Sequence, residues 1–177
     1  MRILETERLV LRGWQLEDLD DLYEYAENPS VGPMAGWKPH SSKEESLNIL
    51  KYYMENDDRW AIVLKENRKV IGSVNLKPDE NRGKYHAKLI SFALSINYWG
   101  NGYMTEAVKR VIRYAFEEMN IDLLSAFHYP QNFRSKRVIE KCGFQYEGII
   151  KNGAKTYDGH IFDSVVYSIL KSKYDGR

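Results

Sequence analysis

Cysteine is almost absent from the chain, since Cys142 is the only one in 177 residues. A single thiol excludes an internal disulfide, and it excludes a metal cluster that is built on several cysteines. Cys142 stands in an apolar pattern with Val138 and Ile139, so we expect it to be buried and chemically inert. This cysteine content is typical of a protein of the cytoplasm.

Long apolar runs and excess charge are also lacking. No stretch of the sequence approaches the length of a membrane span, and residues 1–5 do not resemble a signal peptide. The 26 Lys and Arg residues and the 25 Asp and Glu residues leave a net charge of only +1. A dedicated nucleic-acid-binding protein is normally strongly basic, so we expect no direct nucleic-acid partner. Without a membrane span or a signal peptide, we expect a cytoplasmic protein with no membrane partner.

The composition that remains is that of one globular domain. Hydrophobic residues make up 43% of the chain and charged residues 29%, as in ordinary globular proteins. No repeat, low-complexity tract or linker divides the sequence. A chain of this length can bury a sizeable core, so we predict a single domain over residues 1–177.

Strand and helix patterns follow one another along the chain. Alternation and short apolar runs predict strands at residues 8–12, 60–65, 70–76, 88–96, 121–128, 144–150 and 160–170. Apolar residues at helical spacing predict helices at residues 17–27, 43–56, 102–119 and 132–144. The segment 28–42 is rich in Pro and Gly, and we expect it to be irregular. This order of elements predicts an α/β sheet that is sandwiched by helices.

The most informative segment is the glycine turn, residues 99–102, with the sequence Trp-Gly-Asn-Gly. The helix that follows begins with N–H groups that have no partner within it, and its dipole adds partial positive charge there. Glycine lets the backbone approach a ligand closely, so a pyrophosphate is the natural ligand. The turn is not a P-loop, because no Gly-Lys-Ser/Thr follows, and it lacks the third glycine of a dinucleotide fingerprint. Taken alone, a Gly-x-Gly turn before a helix is more often an ordinary turn than a phosphate-binding site.

A second segment supports the first. The predicted strand 121–128 is broken by Tyr129-Pro130-Gln131, and a short helix follows that Asn132 would cap and Gly143 would end. Together the two segments resemble the GNAT superfamily, the Gcn5-related N-acetyltransferases, and within it the Rim-type group that includes ribosomal-protein N-terminal acetyltransferases. The residues that carry the resemblance occur in family order and are Glu7 to Arg12, Ile71-Gly72, Trp99 to Ala107 and Asn132 to Phe144.

The resemblance implies a fold and an activity. The fold would be α/β, with a mixed, mostly antiparallel central sheet that is splayed between its middle strands and flanked by about four helices. The activity would be transfer of an acetyl group from acetyl-CoA to a primary amine, by direct attack in a ternary complex. That amine would be a protein N-terminal α-amine or a small-molecule amine. The resemblance further implies a monomer or homodimer that uses no metal.

The resemblance also places the cofactor. Backbone amides would bind its pyrophosphate, and they belong to Gly100, Asn101, Gly102, Tyr103, Met104 and Thr105. Met104 is bulkier than the residue common at its position, so we expect its side chain to turn towards the core. The pantetheine arm would lie along the strand 88–96, where a backbone N–H near Ala93, Leu94 or Ser95 would polarise the thioester carbonyl.

The same strand has two faces by alternation. The first would fill the core with Ile90, Phe92, Leu94 and Ile96. The second is small and polar and would leave room for the ligand, and its residues are Ser91, Ala93, Ser95 and Asn97. From the residues alone, a half-solvated sheet face is the simpler interpretation of this second face.

Asn132 and Ser135 are the candidate chemical pair. By residue type alone, Asn132 is a helix N-cap and Ser135 is a polar residue of the first turn. By resemblance, Asn132 hydrogen-bonds the pantetheine arm, and Ser135 lies near the sulfur, where its hydroxyl would protonate the departing thiolate. Four cations of the same helix either meet the 3′-phosphate of the cofactor or form a solvated face, and they are Arg134, Lys136, Arg137 and Lys141.

The sequence leaves several candidates for the general base and for the acceptor. Candidates for the base are His128, Asp163, His160, Glu80 and His86, and a base that acts through water serves equally well. Residues 29–40 form the candidate substrate loop. One alternative function is a catalytically weak acetyl-CoA-binding module that senses or regulates. Another is an enzyme that uses a different acyl-CoA donor.

Overall fold

Eight strands form a single sheet in the computed structural model, which describes residues 1–83 and 86–176. In chain order they are β1 (Leu4–Glu5), β2 (Leu9–Arg12), β3 (Arg59–Leu64), β4 (Val70–Pro78), β5 (Ala87–Leu94), β6 (Leu123–His128), β7 (Gln145–Lys155) and β8 (Ile161–Leu170). They lie in the order β1-β2-β3-β4-β5-β6-β8-β7. Neighbours are antiparallel except β5 and β6, which run parallel. The mixed, mostly antiparallel sheet that the resemblance implied is confirmed.

Helices cover both faces of the sheet. In chain order they are α1 (Leu19–Ala26), α2 (Gly32–Ala35), α3 (Lys43–Glu55), α4 (Tyr103–Glu117) and α5 (Phe133–Lys141). Four of them have eight residues or more, which agrees with the expected number. The larger core lies under α4 and α5, and the smaller core lies under α1 and α3 on the opposite face.

The helix α4 follows directly from its sequence pattern. Its apolar residues recur at helical spacing, and the structure buries Met104, Ala107, Val108, Val111, Ile112 and Ala115. These side chains pack against strand residues such as Ile90 and Leu124 in the larger core. Burial of one aliphatic side chain stabilises a fold by about 1.5–3 kcal/mol, so this packing holds the N-terminus of α4 firmly beside β5.

The two middle strands of the sheet separate along their length. β5 and β6 pair only at residues 87–89 and 123–125. Beyond that point β5 stays bonded to β4 as far as Leu94, and β6 stays bonded to β8 as far as His128. Each strand therefore keeps one partner and turns one unpaired backbone edge towards the other. This gap is the expected splay.

One side chain of the central strand is not where alternation placed it. Ile96 was expected in the core, but it is 37% exposed. The reason is that β5 ends at Leu94, and Ile96 begins a short 3₁₀ turn where alternation no longer applies. On the opposite face Ala93 and Ser95 are buried, with Ala93 in the smaller core, but Ala93 also lines the free space. The free space lies at the end of β5, beside Phe92, Ala93 and Leu94.

Three differences from the sequence prediction stand out. The two-residue strand β1 was not predicted, because two residues are too few to show alternation. The one-turn helix α2 lies in the segment that was expected to be irregular. β7 runs on to Lys155 and not to residue 150, with register shifts that interrupt its pairing with β8.

Candidate active site

A cleft of about 380 Å³ opens where β5, α4, α5 and α2 meet. Its wall is made by Ser30, Val31, Met34, Ala35, Phe92, Ala93, Leu94, Tyr98, Trp99, Gly100, Gly102, Tyr103, Met104, Thr105, Asn132, Arg134, Ser135, Arg137, Val138 and Lys141. Nine of the eleven predicted site residues are in this wall. The two others, Ser95 and Asn101, lie next to it in the chain but do not line it.

The open edge of β5 presents backbone N–H groups to the cleft region, and the Leu94 N–H is one of them. The Ser95 N–H donates to the Ile71 carbonyl at 2.8 Å and is therefore occupied. In an antiparallel pair, successive residues point their backbone groups alternately towards and away from the partner strand. Because Ser95 bonds to β4, the N–H and C=O of its neighbour Leu94 point away from β4. In agreement, the Leu94 carbonyl accepts a hydrogen bond from Trp99 Nε1 at 2.9 Å. Of the three predicted donors, Leu94 is the one whose N–H faces the gap.

Gly72 is what lets β4 hold β5 in this position. The two strands bring Gly72 opposite Leu94. A Cβ on residue 72 would lie 2.3 Å from the Ala93 carbonyl oxygen, which is far inside van der Waals contact. No other residue type fits without a backbone shift, and this explains the glycine of the Ile71-Gly72 motif.

The glycine turn leaves the N-terminus of α4 uncapped. Gly100 and Gly102 adopt φ of +82° and +81°, in the left-handed region that favours glycine. Gly102 is the N-cap residue, and no side chain of the described protein caps the helix. The first bond into the helix is Glu106 N–H to the Gly102 carbonyl, so the N–H groups of residues 103–105 have no partner in α4. In contrast, Ser42 caps α3 and Asn132 caps α5.

Met104 turns its side chain into the core as expected, and it is 5% exposed. Asn101 turns back onto the glycine turn itself. Its side-chain amide donates to the carbonyls of Tyr98 and Trp99 at 3.3 and 3.2 Å. Asn101 therefore closes the turn with its side chain, while its position in the chain still brings its backbone beside α4.

An ion pair ties the first strands of the chain to this turn. Arg8 Nε donates to Glu106 Oε2 at 2.7 Å, and Arg8 Nη1 donates to the Asn101 carbonyl at 3.1 Å. Thr6 Oγ1 donates to Glu106 Oε1 at 2.5 Å. Burial alone would raise the pKa of Glu106, but the hydrogen bonds from Thr6 and Arg8 outweigh it and lower the pKa. We call Thr6, Arg8 and Glu106 the N-terminal latch.

Sequence reasoning missed the role of the N-terminal latch. Arg8 and Glu106 both lie in segments that carry the family resemblance, but they are 98 positions apart. No local periodicity connects residues at such a distance. The available signal was an acidic residue in the first turn of a helix whose N-terminus is expected to bind an anion.

The start of α5 brings the predicted chemical pair into the cleft. Asn132 Oδ1 accepts a hydrogen bond from the Ser135 N–H at 3.1 Å, which is the expected N-cap. Asn132 Nδ2 donates to the Met34 carbonyl at 3.1 Å and so connects α5 to α2. Ser135 lies in the first turn of α5 and lines the cleft.

The candidate substrate loop borders the same cleft. Residues 30, 31, 34 and 35 contribute to the wall across from α5. Trp37 of this loop packs against the smaller core. The loop is therefore anchored by Trp37 and exposes Met34, which is 38% exposed, at the cleft.

The charge of the cleft is positive. Arg134, Arg137 and Lys141 of α5 line it, and no carboxylate is among the described residues of its wall. The Arg134 guanidinium lies 4.3 Å from the centre of the Trp99 ring. Lys136 is different, because it lies outside the wall and within 3.7 Å of Glu140.

Cys142 is buried beside the cleft and is not part of its wall. Its Sγ donates to the Thr105 carbonyl at 3.7 Å, and the residue is 8% exposed. Burial raises the pKa of the thiol to about 12. The thiolate fraction at neutral pH is therefore negligible, and Cys142 is a poor nucleophile.

The five candidate bases are scattered, and none lines the cleft within the described part of the chain. His128 is 5% exposed, and its Nδ1 lies 2.7 Å from the Tyr129 carbonyl, so Nδ1 carries the proton. Asp163 is paired with Lys151 at 2.8 Å, which lowers the pKa of its carboxyl. His160 lies 2.9 Å from Asp158 and is largely exposed. The other two, Glu80 and His86, are exposed.

A second cleft, of about 400 Å³, lies on the face of β6, β7 and β8. Its polar floor is a chain of pairs in which Arg82 contacts both Asp79 and Glu147. Ser125 Oγ donates to Asp79, and Ser168 Oγ donates to Glu147 at 2.6 Å. Sequence reasoning missed this cluster, because its members come from four separate segments.

Membrane spans and metal sites are both absent from residues 1–83 and 86–176. No helix there is both long and apolar enough to cross a bilayer. No three His, Cys, Asp or Glu side chains in the same residues come together in a way that could hold a metal ion.

Comparison with known proteins connects the cleft beside α4 to a family. The family model of the acetyltransferase (GNAT) domain matches residues 8–145, which include Arg8 and Glu106 of the N-terminal latch, the glycine turn and α5. The chain is 32% identical to the uncharacterized N-acetyltransferase p20 of Bacillus licheniformis, over 99% of this chain and 100% of that protein.

Two other proteins extend the comparison. The chain is 27% identical to the ribosomal protein uS5-alanine N-acetyltransferase of Escherichia coli, over 84% of this chain and 81% of that protein. Its fold matches the crystal structure of a GNAT-family acetyltransferase from Bacillus anthracis with a TM-score of 0.88. That match has 23% identity and covers 97% of this chain and 100% of the other.

Proposed function

Because this chain belongs to the GNAT family of acetyl-CoA-dependent acyltransferases, we propose that it transfers the acetyl group of acetyl-CoA to a primary amine by direct attack in a ternary complex. One observation carries the proposal. The uncapped N-terminus of α4, the unpaired N–H of Leu94 and the cations of α5 meet in a single cleft whose described wall holds no carboxylate.

In this proposal the cofactor lies across the cleft. The backbone amides of residues 100–105 bind the pyrophosphate, because unpartnered N–H groups and the helix dipole favour an anion there. The pantetheine arm extends along the open edge of β5, where it pairs with backbone groups that β6 leaves free. The cofactor then occupies the gap in the sheet, with its thioester near Leu94.

The reacting groups follow from this placement. The amine nitrogen forms a bond with the thioester carbon, and the carbon–sulfur bond then breaks. The Leu94 N–H stabilises the negative charge that develops on the carbonyl oxygen. The Ser135 hydroxyl protonates the departing thiolate, which the N-terminus of α5 also favours. The proton that the amine loses goes to water or to a base.

An α-amino group suits this cleft better than a lysine side chain. The described wall holds no histidine and no carboxylate, which favours an acceptor that has a large neutral fraction of its own. An α-amino group has a pKa of about 7.7–8.0, while a lysine side chain has about 10.4. The similarity to a ribosomal-protein alanine N-acetyltransferase supports a protein N-terminus as acceptor. Small-molecule amines with a low pKa are the second class.

Direct transfer has its own test at Cys142. The alternative is a ping-pong reaction through an acetyl-cysteine, and Cys142 is the only thiol of the chain. Cys142→Ala should retain full activity, because the thiol is protonated and outside the cleft wall. Steady-state rates of wild type and variant decide the question. Loss of turnover in a variant that melts like wild type would bring the acetyl-cysteine intermediate back.

The overall proposal is tested by thiol release. Acetyl-CoA is offered with a panel of peptides, polyamines and aminoglycosides, and free CoA thiol is measured. Turnover with one class of amine is the expected result, and peptides with a free N-terminus should lead. Tight binding of acetyl-CoA without turnover on any amine would instead favour a sensor or regulatory module. Faster release of CoA thiol from a longer acyl-CoA would show that acetyl-CoA is not the preferred donor.

A further inference from the structure

The second cleft lies on the same face of the sheet as the smaller core. Leu89 of its wall and Ala93 of the smaller core are four residues apart on β5, so their side chains share a face. On that face α1 and α3 pack over strand residues that come from β2 to β5. Phe127 of β6 lines the second cleft and is 39% exposed. The part of the face that belongs to β6 is therefore accessible to a ligand.

A row of aromatic side chains leads from the second cleft towards the cleft beside α4. The ring centres of Phe127 and Tyr129 lie 6.3 Å apart, and those of Tyr129 and Phe162 lie 5.4 Å apart. The Tyr129 hydroxyl lies beside Gly36, since a Cβ there would be 3.2 Å from it. Gly36 ends α2, which borders the cleft beside α4. The row therefore connects the two clefts along one face.

The distance between the clefts is that of a short extended peptide. β5 contributes to both, with Leu89 in the second cleft and Leu94 in the cleft beside α4. The five residue steps between them cover about 17 Å along the strand. An extended polypeptide whose first residue lies at Leu94 therefore brings its fifth or sixth residue to the second cleft.

The floor of the second cleft carries more negative than positive charge. Asp79 and Glu147 are its carboxylates, and Arg82 is the single cation of its described wall. The hydrogen bond from Arg82 lowers the pKa of Glu147, so this carboxyl is ionised at neutral pH. Glu147 is also the more accessible of the two, because its side chain is 35% exposed and that of Asp79 is 6% exposed.

Apolar side chains surround this floor. They are Leu89, Phe127, Ile149, Ile150 and Val166. A basic side chain matches both features, because its aliphatic stem packs on apolar surface while its cation meets a carboxylate. An acidic side chain would instead be placed beside two like charges.

We propose that the second cleft binds a basic side chain at the fifth or sixth residue of the acceptor polypeptide. This inference rests on the proposed function, and it names the class of acceptor: a protein whose N-terminal residues are extended and carry a lysine or arginine at that distance. The polypeptide runs from Leu94 over the rings of Tyr129 and Phe127, and its cation contacts Glu147. A small amine that ends in the cleft beside α4 makes no such contact.

A position scan with wild type tests the distance. Peptides of eight residues carry a free N-terminal alanine, a C-terminal amide, one arginine and otherwise uncharged residues. Arginine is used because its guanidinium is not an acetyl acceptor. At saturating acetyl-CoA, the KM from thiol release should be about ten-fold lower with arginine at position five or six than at position two or three. The kcat should stay similar, because the contact is remote from the reacting atoms.

The matched variants are Glu147→Gln and Glu66→Gln. Both remove one negative charge, but Glu147 lines the second cleft, while Glu66 lies in the exposed turn between β3 and β4. Glu147→Gln should raise the KM of the best arginine peptide about ten-fold more than that of the same peptide with glutamine in place of arginine. Glu66→Gln should keep the wild-type KM for both peptides. Thermal melting checks that each variant is folded.

The outcomes separate this inference from the proposed function. If wild type releases no CoA thiol with any amine, the proposed function fails and this inference fails with it. If wild type acetylates small amines but no peptide, or peptides with a KM that does not depend on the position of arginine, only the role of the second cleft is overturned. The same holds if the preferred position persists in Glu147→Gln. The scan needs wild type alone, so it decides even where Glu147→Gln does not fold.

Discussion

Single residues decide whether the glycine turn can hold a phosphate. Gly102 combines a φ of +81° with the N-cap position of α4. A side chain at this position would strain the backbone and would stand where the ligand must approach. Gly102→Val should therefore raise the dissociation constant of acetyl-CoA more than about ten-fold. Calorimetric titration measures it.

Gly159 supplies the control for that variant. It has a φ of +88°, and a Cβ there would meet nothing within 4 Å. Gly159→Val therefore carries a similar backbone strain far from the cleft, and it should bind acetyl-CoA like wild type. Equal affinities in Gly102→Val and wild type would show that the phosphate site is elsewhere.

Ser135 and Asn132 should affect different kinetic constants. Loss of a proton donor to the thiolate lowers kcat, so Ser135→Ala should reduce kcat by about ten-fold to a thousand-fold, towards the lower end, and leave the KM for acetyl-CoA nearly unchanged. Asn132→Ala should mainly raise that KM. Because Asn132 also caps α5, its loss should lower stability by about 1 kcal/mol, which thermal melting measures. Wild-type turnover in Ser135→Ala on a verified acceptor would remove the acid assignment.

At the level of elements, the position of β5 depends on its close approach to β4. Gly72→Ala would put a Cβ 2.3 Å from the Ala93 carbonyl oxygen, and backbone cannot move aside as a flexible side chain can. We expect a loss of about 1–3 kcal/mol in the free energy of unfolding, measured in urea. The activity at saturating substrate should fall as well, because the Leu94 N–H is displaced.

Gly148→Ala is the matched control, since this glycine also lies in a strand and a Cβ at its position would meet nothing within 4 Å. It should change the free energy of unfolding by less than about 1 kcal/mol. An unchanged stability in Gly72→Ala would mean that β4 and β5 tolerate more separation than their contact suggests.

The elements that periodicity defines could be predicted, and those that tertiary contact defines could not. The stripe of α4 predicted both the helix and its buried residues, because its 15 residues repeat the pattern over several turns. α2 has four residues and owes its place to contacts such as the bond from Asn132 to the Met34 carbonyl. Ile96 was misplaced because alternation does not reveal where a strand stops.

The candidate site divides in the same way. Local signals predicted the uncapped helix and the cap at Asn132, since each depends on residues that are neighbours in sequence. Which of three N–H groups faces the gap depends on register with β4, and local patterns do not contain that register. The N-terminal latch and the Arg134–Trp99 contact join distant segments, which only the folded chain brings together.

At the scale of the whole molecule, the N-terminal latch makes the free energy of unfolding depend on pH in the acid range. The pKa of Glu106 is lowered in the folded protein, so its contribution is present above the ordinary carboxyl pKa and is lost as pH falls through the lowered value. Glu106→Gln should reduce the free energy of unfolding by about 1–2 kcal/mol at neutral pH. The difference from wild type should shrink below about pH 4.3, as urea unfolding at several pH values would show.

Glu117 offers the control on the same helix. It forms an exposed pair with Arg113 at 2.9 Å, and exposed pairs contribute little. Glu117→Gln should leave the free energy of unfolding at neutral pH near that of wild type. If Glu106→Gln behaves in the same way, the latch does not hold the first strands to α4.

The gap between β5 and β6 has a thermodynamic consequence. Two facing backbone edges inside one sheet are a position for a missing strand, and on the function proposed above acetyl-CoA is that strand. A ligand that binds only the folded state stabilises it by RT ln(1 + [L]/Kd), about 2.7 kcal/mol at roughly one hundred times Kd. The melting temperature would then rise with the logarithm of donor concentration, so that resistance to unfolding becomes a gauge of how much acetyl-CoA surrounds the protein.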